Sequence, residues 1–468
     1  MNALAKFFKF EQYSTSLGQE IRAGATTFMT MAYILVVQPL IMSACGMPWD
    51  AVFTMTALFS GLATIWMALR AKFPFAIAPG MGTNAIFAYS IVNAGVASWE
   101  VALGMIFWAG VLIVLVSIPI FKPLRYLKVK NQKLLNFCVR EKVVTSIPVD
   151  LRIGFAAAIG VFLMSLGLGA NGIGIVTYSA DGPGLGDLTQ PGAIVGLLGL
   201  CACAIMFWLK GKDKIKFNVR GAILISMLAI TAIMMAMGLA PLPETFLSFP
   251  SGFLDVAFKL KILEALRPEF APFILVFFMG DVFSTTGTAV SCVTKSGLDK
   301  DGKFDRWDEI FEVDAFCAPG GALFGLTTPT CYVESAAGIA DGGRTGMTSL
   351  TTGFLFLISL FLAPIFLSIP PVATGVALII VGVEMFTALA DVRLNKPVVA
   401  APLALMVGIT IATNDFASAM CIGLAVWVLM AAFCRFVLRD KEHLPDRATQ
   451  IMALVIFVMA VVKLAITV

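Results

Sequence analysis

Apolar runs of about 20 residues, the length a helix needs to cross a bilayer, recur from one end of the chain to the other. Divided by short polar stretches, they predict spans at about 23–44, 51–70, 78–93, 100–121, 152–169, 191–209 and 220–239. A second set is predicted at about 270–294, 313–327, 329–341, 346–369, 371–390, 398–413 and 415–435. One more apolar run, 451–468, reads equally as a span or as a helix lying at the interface. Met1 to Gln19 contains Lys6, Lys9 and Glu11 but no apolar stretch followed by a small-residue cleavage site. The run beginning near Ala23 therefore reads as a retained first span.

Two segments break the pattern of ordinary spans. Ala78-Pro79-Gly80-Met81-Gly82-Thr83-Asn84-Ala85 and Thr327-Thr328-Pro329-Thr330-Cys331-Tyr332-Val333-Glu334-Ser335-Ala336-Ala337-Gly338 each run through Pro or Gly to a polar residue and then a short helical stretch. Each is the third span of its set. Interrupted segments at corresponding places in two halves point to an inverted-repeat transporter. Non-helical backbone at membrane depth persists only where it is buried in protein or lines a cavity.

Charge supplies an orientation. With Lys6, Lys9 and Arg22 placed in the cytoplasm, Lys and Arg gather on alternate connections, most densely from Lys122 to Arg152, from Lys210 to Arg220 and from Arg435 to Arg447. The opposite connections carry almost none, except 240–269 with Lys259, Lys261 and Arg267. Composition makes lipid the solvent: the 468 residues are 59% hydrophobic and 13% charged, against about 25% charged in soluble domains. The net charge of +4 reflects basic loops rather than a nucleic-acid surface. The only histidine is His443, and the nine cysteines lack metal-ligand spacing. Histidine-based metal or triad chemistry is excluded, no cofactor is implied, and a membrane enzyme has no nucleophile–base pair to work with.

A carboxylate near the bilayer centre costs about 2.5–3.5 kcal/mol, so an acid inside an apolar span needs a reason. Asp281, in Phe277-Phe278-Met279-Gly280-Asp281, and Glu334, at the start of the second short helix, stand out. Each reads as a binding or proton-carrying group, with a hydrogen-bonded packing acid as the plainer alternative. Glu384 lies near a predicted cytoplasmic end, where solvation explains it as well. Two half-helix N-termini meeting in mid-membrane would offer backbone N–H groups and positive dipole ends. A neutral heterocycle with N–H donors and carbonyl acceptors suits such a place, with Glu334 accepting from the donors and Asn84 able to donate or accept.

At these residues the chain resembles the adenine/guanine/hypoxanthine permeases of the azaguanine-resistance type, within the nucleobase–cation symporters. The resemblance covers most of the chain. It is strongest at Glu20–Tyr33, Ala78–Ala85, Gly280–Thr288 and Tyr332–Gly346. It implies an all-α integral membrane fold of 14 transmembrane helices, arranged as two inverted seven-helix repeats with short broken helices 3 and 10. After a cytoplasmic segment 1–22, a core domain would comprise 23–121 and 270–369, and a gate domain 152–269 and 370–435. A basic cytoplasmic loop would fill 122–151, and 436–468 would carry the last apolar run. The implied function is proton-coupled import of adenine, guanine or hypoxanthine, with the core moving against the gate like an elevator.

Residue by residue, the resemblance assigns Asn84, Asp281 and Glu334 to binding or transport. Thr83, Ser335, Thr27 and Ser284 join the substrate-binding set, and Asp281 with Glu334 carries the proton. Thr30 lies in the same first-span motif as Thr27. Where relatives place a second acid three residues after the first in the eighth span, this chain has Ser284; their usual Leu after Gly82 is Thr83 here. Expected partners are a purine nucleobase, a proton and the lipid bilayer, with a homodimer allowed and no nucleic acid. The location is the cell (inner or plasma) membrane. The alternative reading is a transporter of the same fold for another planar heterocycle or an anion, sodium-coupled if not proton-coupled.

Overall fold

The computed structural model describes residues 3–117, 149–170, 172–179, 182–209, 221–243, 245–298, 304, 306–392, 394, 396–413, 419, 422, 423, 425–430 and 433. The connection 122–148, the basic stretch 210–220, most of the span expected at 415–435 and all of 436–468 lie outside the described residues.

After a short α1 (Ala3–Phe7), the first span is split into α2 (Leu17–Met31) and α3 (Ile34–Ser43). Next come α4 (Trp49–Arg70), β1 (Ile77–Pro79) and α5 (Met81–Ala85), continued by a π-helical turn Ile86–Val92, and then α6 (Trp99–Ser117). The chain resumes with α7 (Val149–Leu168), strands β2 (Val176–Ser179) and β3 (Gly182–Leu185), α8 (Pro191–Leu209) and α9 (Ala222–Ala236). It continues with α10 (Ala271–Ser296), α11 (Trp307–Leu323), β4 (Pro329–Cys331) and α12 (Ser335–Ala340). The remaining helices are α13 (Gly346–Ser359), α14 (Ala363–Leu367), α15 (Pro371–Thr387) and α16 (Pro397–Thr413). Among the described residues, five helical stretches are long and apolar enough to cross a membrane: Leu17–Ser43, Trp49–Arg70, Trp99–Ser117, Pro268–Ser296 and Gly346–Leu367.

Several boundaries differ from the hydropathy reading. The ninth span begins at Trp307 rather than near 313, because Asp308 and Glu309 sit in its first turn, where acids suit the helix dipole although they lower hydropathy. The eleventh is interrupted at Leu360–Leu362 before Pro364, whose missing N–H cannot bond the carbonyl four residues earlier. The chain is not wholly α-helical. Pairs β1–β4 and β2–β3 form two short antiparallel ribbons, since extended backbone in lipid must find hydrogen-bond partners within the protein. The connection 240–269 lies against α6 and the end of α11: Lys261 N–H donates to Glu100 O at 2.9 Å, Trp108 Nε1–H to Ile262 O at 2.9 Å and Phe258 N–H to Leu323 O at 2.7 Å.

Small residues set the closest helix approaches. Helix α15 packs along α7, α13 along both α4 and α2, and α11 along α6. Between α7 and α15 the backbones meet at Gly160 and Gly382, where a Cβ on Gly382 would stand 2.4 Å from the Gly160 carbonyl oxygen. Close backbone approach replaces the hydrophobic effect as the source of helix association in lipid. Gly382→Ala is therefore expected to force the two helices apart and cost about 1–3 kcal/mol. Thermal melting in detergent checks this; an unchanged melt would mean that the helices have room to spare.

Candidate functional site

The two broken spans cross each other. Strands β1 and β4 pair antiparallel with Ile77 opposite Cys331, Ala78 opposite Thr330 and Pro79 opposite Pro329. The pairing is extended on both sides, as Gly80 N–H donates to Thr328 O at 2.9 Å and Tyr332 N–H to Ala76 O at 2.9 Å. Ser335 Oγ accepts from Ala76 N–H at 3.0 Å, and the Tyr332 hydroxyl donates to Pro79 O. From α4, Thr64 Oγ1 accepts from Ile77 N–H at 3.0 Å. Each strand thus supplies the hydrogen bonds that the other cannot get from lipid. The N–H groups of Gly80 and Tyr332 are consumed by the crossing, which narrows the set of backbone donors that the half-helices offer a ligand.

Around the crossing, side chains from α2, α3, α5 and α12 converge. Glu334 is the N-cap residue of α12 but makes no capping bond. Its Oε1 instead accepts from the Tyr33 hydroxyl at 2.7 Å. Tyr33 occupies the break between α2 and α3, so the break in the first span presents its phenol to the tenth. Asn84, fully buried on α5, donates from Nδ2 to Gln38 Oε1 and accepts at Oδ1 from the Thr327 hydroxyl. Gln38 comes from α3, whose Pro39 leaves a gap in the helical ladder. Thr83 donates to Gly80 O at 2.7 Å within its own turn, and its methyl faces Gly280 of α10.

Helix α10 packs on α5, β4 and α12, and it carries Asp281, fully buried. Ser284, three residues on, is exposed. Asp281 shares its neighbourhood with Asp314 of α11: both lie within electrostatic reach of the Cys317 thiol, and Asp314 accepts from the Thr285 hydroxyl at 2.7 Å. Thr27 donates to Ala23 O at 3.2 Å inside α2. Its hydroxyl abuts Gly338, where a Cβ would come within 2.1 Å, so Thr27 lies in the seam between α2 and α12. Thr30 likewise bonds its own helix, to Thr27 O at 2.8 Å. Glu384 is exposed.

The structure therefore gathers Asn84, Thr83, Glu334 and Ser335 onto one crossing, with Asp281 on the adjoining helix. Sequence reasoning did not find Tyr33, Gln38, Thr327 and Asp314. Asp314 fell at the edge of a span predicted to start at 313, and the true start at Trp307 puts it two turns inside. Tyr33 and Gln38 sit in an apolar run where one polar atom raises no flag, although Pro39 was a local signal of an irregular helix.

The chain matches the Xan_ur_permease model, described as a permease family, over residues 18–420. It is 33% identical over 391 residues to the adenine permease AdeQ of Escherichia coli (strain K12), covering 83% of this chain and 82% of that protein. To the guanine/hypoxanthine permease PbuO of Bacillus subtilis (strain 168) it is 33% identical over 436 residues, covering 91% and 94%. Among solved structures, the transmembrane domain of the cyanobacterial bicarbonate transporter BicA aligns with a TM-score of 0.56 at 14% identity, covering 94% of this chain and 97% of that one. That last likeness is one of fold alone. Crossed broken spans, long apolar helices and a match across most of the sequence agree: this multi-pass membrane protein belongs to the permease family, as a divergent member.

Proposed function

We propose that the chain imports purine nucleobases (adenine, guanine or hypoxanthine) by proton symport, in an elevator-like alternating-access cycle. The observation that carries this reading is Glu334, a buried carboxylate at the crossing of two broken spans that accepts from the Tyr33 hydroxyl. An arriving base can replace that phenol with a ring N–H, exchanging one hydrogen bond for another. The names of the relatives, an adenine permease and a guanine/hypoxanthine permease, supply the substrate class. Thr83 and Asn84 on α5 and Ser335 on α12 frame the base at the crossing, Ser284 and Thr27 lie at its margins, and Asp281 holds the coupling proton.

In this reading the chain forms two inverted seven-helix halves. The antiparallel register of β1 on β4 supports that, being what a two-fold relation between third and tenth spans produces. The core then comprises spans 1–4 and 8–11, the gate comprises spans 5–7 and 12–14, and the N-terminus lies in the cytoplasm of a cell membrane.

Uptake of labelled adenine, guanine and hypoxanthine by cells lacking their own purine permeases tests the proposal. Expression of this chain is expected to restore uptake of at least one base, and a protonophore to abolish it. Uptake that ignores the proton gradient but needs sodium would overturn the coupling, and no uptake of any base would overturn the substrate class.

A further inference from the structure

Gln38 is fully buried, and its side-chain amide is only half used. The oxygen accepts from Asn84 Nδ2, while Nε2, equally buried, has no hydrogen-bond partner. A buried amide donor is almost always satisfied, and in the middle of a membrane protein no bulk water serves it. The vacancy stands at the end of a directed chain. Thr327 donates to Asn84 Oδ1, and Asn84 Nδ2 donates to Gln38 Oε1 while lying 3.8 Å from the Met81 sulfur, a weak acceptor. The direction of that chain leaves the Nε2 donor of Gln38 at its end, buried. Ile41, three residues on and so on the same helix face, lines a crevice with Leu40, Ala44, Tyr89, Leu166 and Leu378. That small apolar crevice lies between α3 and the π-helical turn on one side and α7 and α15 on the other, one helical turn along α3 from Gln38.

We propose that Gln38 is a specificity-determining residue that donates to the acceptor edge of a 6-oxopurine; this rests on the purine reading above. A glutamine with both ends free can pair with the N6 amino group and N7 of adenine, using its oxygen and nitrogen together. Here the oxygen is occupied by Asn84, so only N–H donors remain. They match O6 and N7, both acceptors, as in guanine and hypoxanthine. The amino group of adenine would instead point a donor at a donor. Gln38 therefore favours hypoxanthine and guanine over adenine.

The test uses the full chain in cells lacking purine permeases, with labelled hypoxanthine and adenine and with unlabelled purine, which lacks the 6-oxygen, as competitor. Wild type is expected to prefer hypoxanthine over both adenine and purine. Gln38→Met, close in size but without an amide, is expected to raise KM for hypoxanthine about tenfold to a hundredfold and to erase its advantage over purine. Gln38→Glu keeps an acceptor for Asn84 and puts an oxygen in place of the donor, so it is expected to move the preference toward adenine. This second variant carries the test if Gln38→Met fails to reach the membrane. A wild type that prefers adenine, or variants that leave the ratios of the three bases unchanged, would overturn the assignment and leave the transport reading standing. Wild type that takes up none of them removes the transport reading, and this inference with it.

Discussion

Glu334→Gln is expected to abolish purine uptake while the protein still folds and reaches the membrane. The carboxylate accepts from the Tyr33 hydroxyl at 2.7 Å at the N-cap of α12. Hydrogen bonds to a charged group contribute about 1.5–3 kcal/mol, or about tenfold to 150-fold in affinity, and an amide forfeits much of that. An amide also turns a donor toward either Tyr33 or the N–H of the base, and it cannot bind a proton. Tyr33→Phe isolates these effects. It removes the phenol that a base must displace but keeps the carboxylate, so transport is expected to survive with KM changed by no more than about tenfold. Initial uptake rates, normalised to the amount of tagged protein at the membrane, decide it. Glu334→Gln that transports near the wild-type rate would remove Glu334 from the mechanism.

Much of this arrangement was legible in the sequence, and the reason for the remainder is specific. The motifs Glu20–Tyr33 and Tyr332–Gly346 could each be seen, but not that they face each other. In the structure Tyr33 bonds Glu334, Thr26 Oγ1 donates to Asp341 Oδ2 at 2.8 Å, and Gln19 Nε2 donates to Gly342 O at 3.2 Å. These partners are separated by 301, 315 and 323 positions, and pairing at that distance leaves no periodicity in either segment. The broken spans were legible because Pro and Gly punctuate them. Their pairing as strands was not, because three residues per strand give too little alternation to read. Gln38 was invisible for another reason: hydropathy reports that a polar group lies in a span, not whether its hydrogen bonds are filled.

Glu20→Ala is expected to be the most destabilising of these changes, because one carboxylate closes the end of a helix that nothing else satisfies in the same way. Glu20 is fully buried. Its two oxygens accept from the Thr15 hydroxyl at 2.9 Å, Arg344 N–H at 3.0 Å, Thr345 N–H at 3.3 Å, the Thr345 hydroxyl at 2.9 Å, Thr348 N–H at 3.2 Å and the Thr348 hydroxyl at 2.7 Å. Three of these donors are backbone groups at the start of α13, where a negative charge also meets the positive end of the helix dipole. Next to this clasp, Arg22 Nε lies 3.5 Å from Asp341 Oδ1. The clasp fixes one end of α2 against α12 and α13, about 20 Å along the helix from Tyr33, and so helps hold that phenol in register with Glu334. Removing the carboxylate strands several buried donors, and each such group left without a partner costs about 1–3 kcal/mol. Glu20→Gln keeps one acceptor oxygen but turns an amino group into a ring of donors, so its loss should be smaller yet in the same direction. Melting of the purified protein in detergent measures both. Glu334→Gln, which leaves this clasp untouched, should melt close to wild type, whereas a Glu20→Ala melt within about two degrees of wild type would show that α13 is held by other means.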